Sequence, residues 1–116
     1  MTTTQAIAFT VPLLPAKTEL DRSAMRSCSD GPRRDAHRAS RERLGITAES
    51  VWIQPTPAGD VAVVHLEAED LQRAFAGIAT SVEPFDRWFR EHCLDVHGLD
   101  LTTPIAPPEQ VLDFRA

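Results

Sequence analysis

The stretch FDRWFREHCLDVHG, residues 85–98, contains the side chains best suited to chemistry in this sequence. As a helix, with about 100° per residue, it presents one broad apolar face. The residues on that face are Phe85, Trp88, Phe89, His92, Cys93 and Val96. His92 could act there as a general acid or base, because an unperturbed histidine titrates near neutral pH. The alternative is a core histidine whose ring nitrogen bonds to a carbonyl or to water.

His65 is the second candidate acid or base, and its role depends on which face of its strand meets the helices. Strand alternation places it opposite Leu66. If Leu66 faces the helices, His65 points away from them; if His65 faces them, it could approach His92. A polar spot inside an apolar cavity is typical of a small-molecule site, and we expect four aromatic residues to shape that cavity. These are Trp52, Trp88, Phe85 and Phe89.

The same residues give little support for a metal or a cofactor. Catalytic zinc takes three protein ligands and structural zinc four, and no third ligand accompanies His65 and His92 at a suitable spacing. A haem would need a proximal histidine such as His92 and a roomy pocket, but core packing produces the same pattern. Cys28 and Cys93 are far apart and form no Cys-x-x-Cys motif. We therefore expect no metal, no cofactor and two free thiols.

A helix predicted over residues 33–45 is rich in arginine and contains His37. With one arginine preceding the helix, the cluster comprises Arg26, Arg33, Arg34, Arg38, Arg41 and Arg43. Such a cluster can bind a carboxylate or a phosphate. The alternative, which we favour, is a solvated helix face on which Asp35 and Glu42 pair with neighbouring arginines, for a few tenths of a kcal/mol each.

These residues are positioned by elements in the order strand, helices, strand, strand, helices, strand. The predicted strands span residues 5–13, 50–57, 61–68 and 109–114, and the predicted helices span 17–28, 33–45, 69–80 and 84–98. Thr18 is a candidate N-cap, and the predicted buried stripes are Leu20, Ala24 and Cys28 in the first helix and Leu71, Phe75 and Ile78 in the third. Each half of the chain is a strand, a helical segment and a strand, which predicts a ferredoxin-like split βαβ fold.

This α+β fold has a four-stranded antiparallel sheet with helices on one face only. A sheet with one solvated face should alternate between apolar and polar side chains. The strand over 61–68 is largely apolar on both faces, and Ala6 and Ala8 lie opposite Ile7 and Phe9 in the first strand. Large exposed apolar patches are rare on monomers, so we expect a second copy to cover this face. The result would be a homodimer with the architecture of a dimeric α+β barrel.

Composition limits the choice of partners and location. The 116 residues predict a single domain over 1–116, with 42% apolar and 25% charged residues. The net charge of −5 argues against binding to nucleic acid. No apolar run approaches the roughly 18 residues of a membrane span, and the first residues lack a signal-peptide pattern. We therefore expect no membrane association and a cytoplasmic location.

Several phrases resemble a known group of proteins. They are RRxxxxxSRxRLGI, VWIQ, DVAVVHLEAED, PFDRWFRE and HGLDL, and they extend over most of the chain. They look like small bacterial proteins of no assigned activity that are grouped with the dimeric α+β barrel superfamily. That superfamily includes cofactor-free monooxygenases, polyketide cyclases, haem-degrading enzymes, chlorite dismutases and muconolactone isomerases. The resemblance implies a cavity between sheet and helices, but no catalytic motif of these enzymes is present, so it assigns no residue a role.

Two functions follow as hypotheses. The first is a cofactor-free enzyme that oxygenates, cyclises or isomerises a hydrophobic polyketide-like or aromatic molecule, with His92 or His65 moving a proton. The second is a non-catalytic binding or accessory dimer, and haem binding is a weaker third. An enclosed cavity of a few hundred Å³ reached by an imidazole favours the enzyme, whereas a filled interior favours the accessory dimer.

Overall fold

The elements expected from the sequence, apart from the last strand, are present in the structure, a computed structural model that describes residues 4–116. Within this range the elements are β1 (Gln5–Pro12), α1 (Thr18–Asp30), α2 (Arg34–Leu44), β2 (Ile46–Thr56), β3 (Gly59–Ala68), α3 (Leu71–Thr80) and α4 (Pro84–His97). The prediction of an α+β chain is confirmed. None of the helices in the described range has the length and apolar character that crossing a bilayer requires.

The sheet in residues 4–116 has three antiparallel strands in the order β1-β3-β2. The β2–β3 hairpin places Val51 opposite Val64, and β1 pairs with the other side of β3 so that Ile7 lies opposite Leu66. Because β3 is central, the outer sides of both β1 and β2 are sheet edges. The edge at β2 borders the cleft described below.

The prediction of a fourth strand over residues 109–114 is wrong for this chain's own sheet. Residues 104–116 form neither helix nor strand, and every residue among them is exposed. The alternation of apolar and polar residues in that segment led to the prediction of a strand. A sequence pattern does not say which edge such a chain pairs with, and here it does not pair with the β1 of its own chain.

The four helices pack on one face of the sheet around a compact apolar cluster. The buried members of this cluster are Leu44, Ile46, Leu66, Ala68, Ala74 and Ile78. Leu66 is 5% exposed and therefore faces the helices, so alternation turns His65 to the opposite face. The hypothesis of a His65–His92 pair is thus wrong, and the first of the two orientations considered for His65 is the correct one.

Helix stripes differ from prediction at a few positions. In α1 the buried residues are Asp21, Ala24 and Cys28, while Leu20 is 47% exposed. In α3 the predicted core residue Phe75 is 36% exposed, and Ala74 is buried in its place.

Helix termini also depart from the expected pattern at one point. Thr18 is not the N-cap of α1; Lys17 is, and the Thr18 hydroxyl donates to Asp60 at 2.7 Å. The stops at Gly45 and Gly98 are confirmed, since both adopt the left-handed conformation that favours glycine.

Candidate functional site

A cleft of about 450 Å³ lies between α1 and β2. Its lining residues are Met25, Arg26, Cys28, Ser29, His37, Glu49, Ser50, Val51, Trp52 and Phe89. A smaller hollow of about 290 Å³ shares Met25, Arg26 and Val51 with it. Small-molecule sites commonly fall between roughly 300 and 1,000 Å³ and combine apolar walls with a few polar groups. This cleft has a volume in that range, combines both kinds of lining and is reached by an imidazole, but it is open to solvent and is not an enclosed cavity.

The polar end of the cleft is a carboxylate held by an imidazole and a guanidinium. His37 Nε2 lies 2.7 Å from Glu49 Oε1, and Arg41 donates Nε to Oε1 at 2.9 Å and Nη2 to Oε2 at 3.2 Å. Burial opposes the ionisation of Glu49, yet hydrogen bonds from His37 and Arg41 and the charge of Arg41 lower its pKa to about 2. Glu49 is therefore a fixed anion at neutral pH.

The state of Glu49 determines which nitrogen of His37 carries the proton. An ionised carboxylate only accepts hydrogen bonds, so a neutral His37 must place its hydrogen on Nε2. Nδ1 is then the acceptor nitrogen of the ring. An imidazole oriented by a carboxylate in this way is the arrangement that prepares histidine to take up a proton.

Two aromatic rings of α4 hold this group in place. The Arg41 guanidinium lies 4.5 Å from the ring centroid of Phe89 and 5.8 Å from that of Phe85. The His37 ring meets Phe85 edge-on, with centroids 5.8 Å apart. Of the four residues predicted to bind substrate, Phe89 and Trp52 line the cleft. Phe85 does not line it and instead contacts His37 and Arg41.

His92, the first candidate catalytic residue, lies away from the cleft in a sealed stack between α1 and α4. Its Nε2 is 2.8 Å from Asp21 Oδ1, and the two side chains are 5% and 2% exposed. Trp88 stacks on the His92 ring at 5.3 Å, and Arg33 lies 4.1 Å above the Trp88 ring. The second carboxylate oxygen, Oδ2 of Asp21, is buried without a hydrogen-bond partner among the described residues. The remaining candidate, His65, is not among the residues that line the cleft.

A third buried carboxylate ties α2 to α4. Asp86 is 1% exposed and accepts hydrogen bonds from Ser40, from Ser81 at 2.5 Å and from Arg43 at 3.0 Å. Burial raises its pKa, but these hydrogen bonds outweigh burial and lower the pKa of Asp86 from its ordinary value. All its contacts lie within the protein, so its role is to hold the helices together.

The interpretation of the arginine cluster as a solvated helix face is confirmed for Arg34 and Arg38, which are exposed, and Arg38 pairs with Glu42 at 3.1 Å. It is wrong for Arg41, which is buried against Glu49, and the exposed Arg43 also binds the buried Asp86. Arg26 lies at the cleft with no carboxylate within 4.0 Å in the part of the chain that the structure describes.

Sequence reasoning missed Glu49 and gave His37 no separate role, although a signal existed for both. The predicted strand began at residue 50. If it is extended by one residue towards the N-terminus, strand alternation places Glu49 on the same face as Val51 and Ile53. A carboxylate on an otherwise apolar strand face needs a buried partner, and the neighbouring arginine helix supplies one. In the same way, the spacing of Asp21 with residues 24 and 28 fits a helix stripe.

The described residues contain no group of three or more His, Cys, Asp or Glu side chains placed to hold a metal ion. The sequence matches no known family model and no curated protein sequence. The resemblance to the dimeric α+β barrel superfamily therefore stays a prediction, and the site is argued from its own geometry.

Proposed function

We propose that this protein is a cofactor-free enzyme whose substrate binds in the cleft between α1 and β2 and gives up a proton to His37. One observation carries the proposal: the His37 imidazole is hydrogen-bonded at 2.7 Å to an ionised, largely buried carboxylate at the wall of an open cleft of about 450 Å³. The proposal assigns to His37 the proton transfer that the sequence predicted for His92 or His65.

The chemistry begins with removal of an acidic proton. Nδ1 of His37 takes the proton from a carbon next to a carbonyl or from an aromatic hydroxyl, and the electron pair stays on the substrate as an enolate or phenolate. Glu49 stabilises the imidazolium that forms. Returning the proton to a different carbon completes an isomerisation; giving it to the oxygen of an attacked carbonyl completes a ring closure. Oxygenation would begin in the same way, with dioxygen as the oxidant.

The walls of the cleft define the class of substrate. Met25, Val51, Trp52 and Phe89 supply apolar and aromatic surface, which suits a flat aromatic or polyketide-like body. Arg26 is a cation in the lining of the cleft, and a guanidinium pairs well with a carboxylate or phenolate. We therefore propose a hydrophobic substrate with at least one acidic oxygen substituent.

A second candidate function is a non-catalytic small-molecule-binding or accessory dimer. It is favoured by the completeness of the Arg41–Glu49 contact, since two donors on two oxygens make a sound structural tie between α2 and β2 without any chemistry. In that case His37 is a third donor to the same carboxylate, and the cleft binds without turnover. Haem binding has less support, because His92 is engaged by Asp21.

We also propose the homodimer and the ferredoxin-like dimeric barrel for this chain. Alternation turns Val61, Val63 and His65 to the sheet face opposite the helices, where Ala8 is exposed and Trp52 is 56% exposed. A second copy packed on this face would bury its apolar surface. The buried free thiols of Cys28 and Cys93 suit the reducing cytoplasm, where we place the protein.

Deuterium exchange tests the proposed proton transfer. Phenols and 1,3-dicarbonyl compounds, which carry acidic protons, are screened for binding by the shift in melting temperature, and bound compounds are followed by NMR in D₂O. We expect the protein to accelerate exchange of the acidic C–H. His37→Gln should bind the compound and lose the acceleration, by roughly 100-fold or more.

His97→Gln is the matched control, because His97 contacts the Pro12 carbonyl at 2.9 Å and does not line the cleft. It should exchange protons at the wild-type rate. Full acceleration by His37→Gln would eliminate the catalytic role, and binding without acceleration by the wild type would establish the accessory function instead.

A further inference from the structure

The C-terminal segment, residues 109–116, has the pattern of a strand but no strand to pair with. Leu112 and Phe114 are on one side of the alternating sequence, and Asp113 and Arg115 are on the other. Both apolar side chains are 80% exposed, and Val111 is 84% exposed. Three large apolar side chains within four residues are an unusual exposure for a chain in water and mark a contact surface.

A stiff connector holds this segment away from its own sheet. Pro104, Pro107 and Pro108 stand within five residues, and proline-rich chain extends by about 3.1 Å per residue. The connector begins after Leu101, which packs against the core cluster, so its start is fixed to the domain. Beyond this connector, residues 109–116 are exposed and do not pair with the β1 strand of their own chain, next to which they would complete a four-stranded sheet.

The outer edge of β1 lacks the partner that such a segment would provide. In the sheet order β1-β3-β2, this edge offers a row of backbone N–H and C=O groups that no strand in the described residues pairs with. An unpaired edge is a template for another strand. β1 spans eight residues, Gln5–Pro12, and carries no charged side chain. The eight residues 109–116 match it in length.

We infer that residues 109–116 of one subunit add as a strand to the β1 edge of a second copy, and that the exchange is reciprocal. This inference rests on the homodimer proposed above and names the segment that joins its subunits. Each sheet then has four strands, one of them from the partner. With residues 104–116 and β1, each subunit contributes about 21 positions, which reaches the roughly 20–30 residues a side of a stable interface.

Disulfide trapping between two differently tagged chains tests the exchange directly. One chain carries Ala6→Cys, Ala8→Cys or Thr10→Cys, three positions on one face of β1 that cover shifts in register, and the other carries Leu112→Cys. We expect at least one combination to give a mixed cross-linked dimer on a non-reducing gel. Ala58→Cys, in the β2–β3 turn, is the matched control and should give none with Leu112→Cys.

Light scattering on the full chain separates this inference from the dimer itself. The wild type should weigh twice 12.8 kDa, and Leu112→Asp/Phe114→Asp should raise the dimer dissociation constant by at least about 100-fold. Asp113→Asn, on the polar side of the segment, should leave the dimer unchanged. A wild-type monomer would overturn both the dimer and the exchange. An unaltered dimer in the double Asp variant, or the absence of a mixed cross-linked dimer in all three combinations, would overturn the exchange and leave the dimer standing.

Discussion

Two histidine–carboxylate pairs lie in this domain, one between α2 and β2 and the other between α1 and α4, and they differ in what surrounds them. His37 and Glu49 are 2.7 Å apart and have side chains 26% and 14% exposed at the cleft. His92 and Asp21 are 2.8 Å apart and are 5% and 2% exposed, beneath the ring of Trp88. The chemical groups are alike, so the contrast isolates the effect of the environment on a pair that could move a proton.

The difference is in the second oxygen of each carboxylate. Arg41 contacts both oxygens of Glu49, whereas Oδ2 of Asp21 has no partner in the described part of the chain. A buried charge is tolerated when it is paired and hydrogen-bonded, and it is costly otherwise. The fixed cation lets Glu49 remain an anion next to the cleft, where it also accepts a hydrogen bond from His37. Within residues 4–116, His92 is the only side chain that hydrogen-bonds to the Asp21 carboxylate, so this hydrogen bond is part of what stabilises the core.

The largest expected effect comes from removing the cation that distinguishes the two pairs. Arg41→Met should lower the free energy of unfolding by about 3–5 kcal/mol, because it leaves a buried carboxylate without its charged partner. Urea denaturation measures this. Arg38→Met is the matched control, since the Arg38–Glu42 pair is 73% and 69% exposed and should cost less than about 1 kcal/mol. Equal losses in the two variants would remove the distinction between buried and exposed arginines on this helix.

The stability that Glu49 contributes to the folded protein should be lost over a defined range of acidic pH. Hydrogen bonds and the Arg41 charge overcome burial and lower the pKa of Glu49 from 4.5 to about 2 in the folded protein. A depressed pKa contributes stability above the unfolded value, and this contribution is lost as pH falls from about 4.5 towards 2. At neutral pH it amounts to about 3 kcal/mol. Urea denaturation between pH 6 and 3 should therefore show a steeper loss for the wild type than for Glu49→Gln, and parallel curves would contradict this.

Much of this fold could be predicted from local patterns in the sequence. The hairpin, the glycine stops of α2 and α4 and the buried face of α4 follow from alternation and helical spacing, and the structure confirms them. The fourth strand could not be placed, because residues 109–114 show an extended pattern whatever partner they have. Strand pairing is a long-range property, and a local pattern does not specify the partner strand.

The candidate site was only partly predictable, and the reason is physical. The aromatic residues Trp52 and Phe89 were found because large apolar side chains at helix or strand spacing indicate a buried surface. His92 was predicted from the same helical spacing, but its partner Asp21 was not, because the stripe of α1 was assigned to Leu20 although Asp21 fits the spacing of Ala24 and Cys28 as well. Which histidine reaches a cavity depends on how α1 sits against β2, and no single element encodes that packing.

A smaller effect is expected when the sealed pair loses its charge. Asp21→Asn keeps one oxygen to accept from His92 and replaces the unpartnered oxygen with an equally unpartnered NH₂ group. Exchanging one unsatisfied group for another should change the free energy of unfolding by no more than about 1–2 kcal/mol. Urea denaturation of both variants at pH 7 makes the comparison with Glu49→Gln, which should lose more because Arg41 is left buried without its anion. A larger loss of unfolding free energy in Asp21→Asn than in Glu49→Gln would show that the unpartnered oxygen of Asp21 costs less stability than its burial suggests.

The smallest expected effect is a difference in the rates at which a thiol reagent labels the two cysteines. Cys28 lines the cleft with His37 and Glu49, and Cys93 is close enough to Asp21 to be affected by its charge. Burial and then the charge of Asp21 raise the pKa of Cys93 to about 12, whereas burial raises the pKa of Cys28 against opposing effects of Ser27 and nearby arginines. Because the thiolate is the reactive form and Cys28 lines the cleft, a thiol reagent at pH 8 should label Cys28 first. Mass spectrometry of digested protein at several times measures the order.

Two further readouts connect this labelling to the comparison of the pairs. A compound bound in the cleft should slow the labelling of Cys28 and leave Cys93 unchanged, since Cys93 is not among the lining residues. Asp21→Asn should speed the labelling of Cys93 slightly, because it removes a negative charge that disfavours the thiolate. Labelling of Cys93 as fast as Cys28 in the wild type would mean that the layer between α1 and α4 opens readily. The His92–Asp21 pair would then be as accessible to solvent as the pair at the cleft.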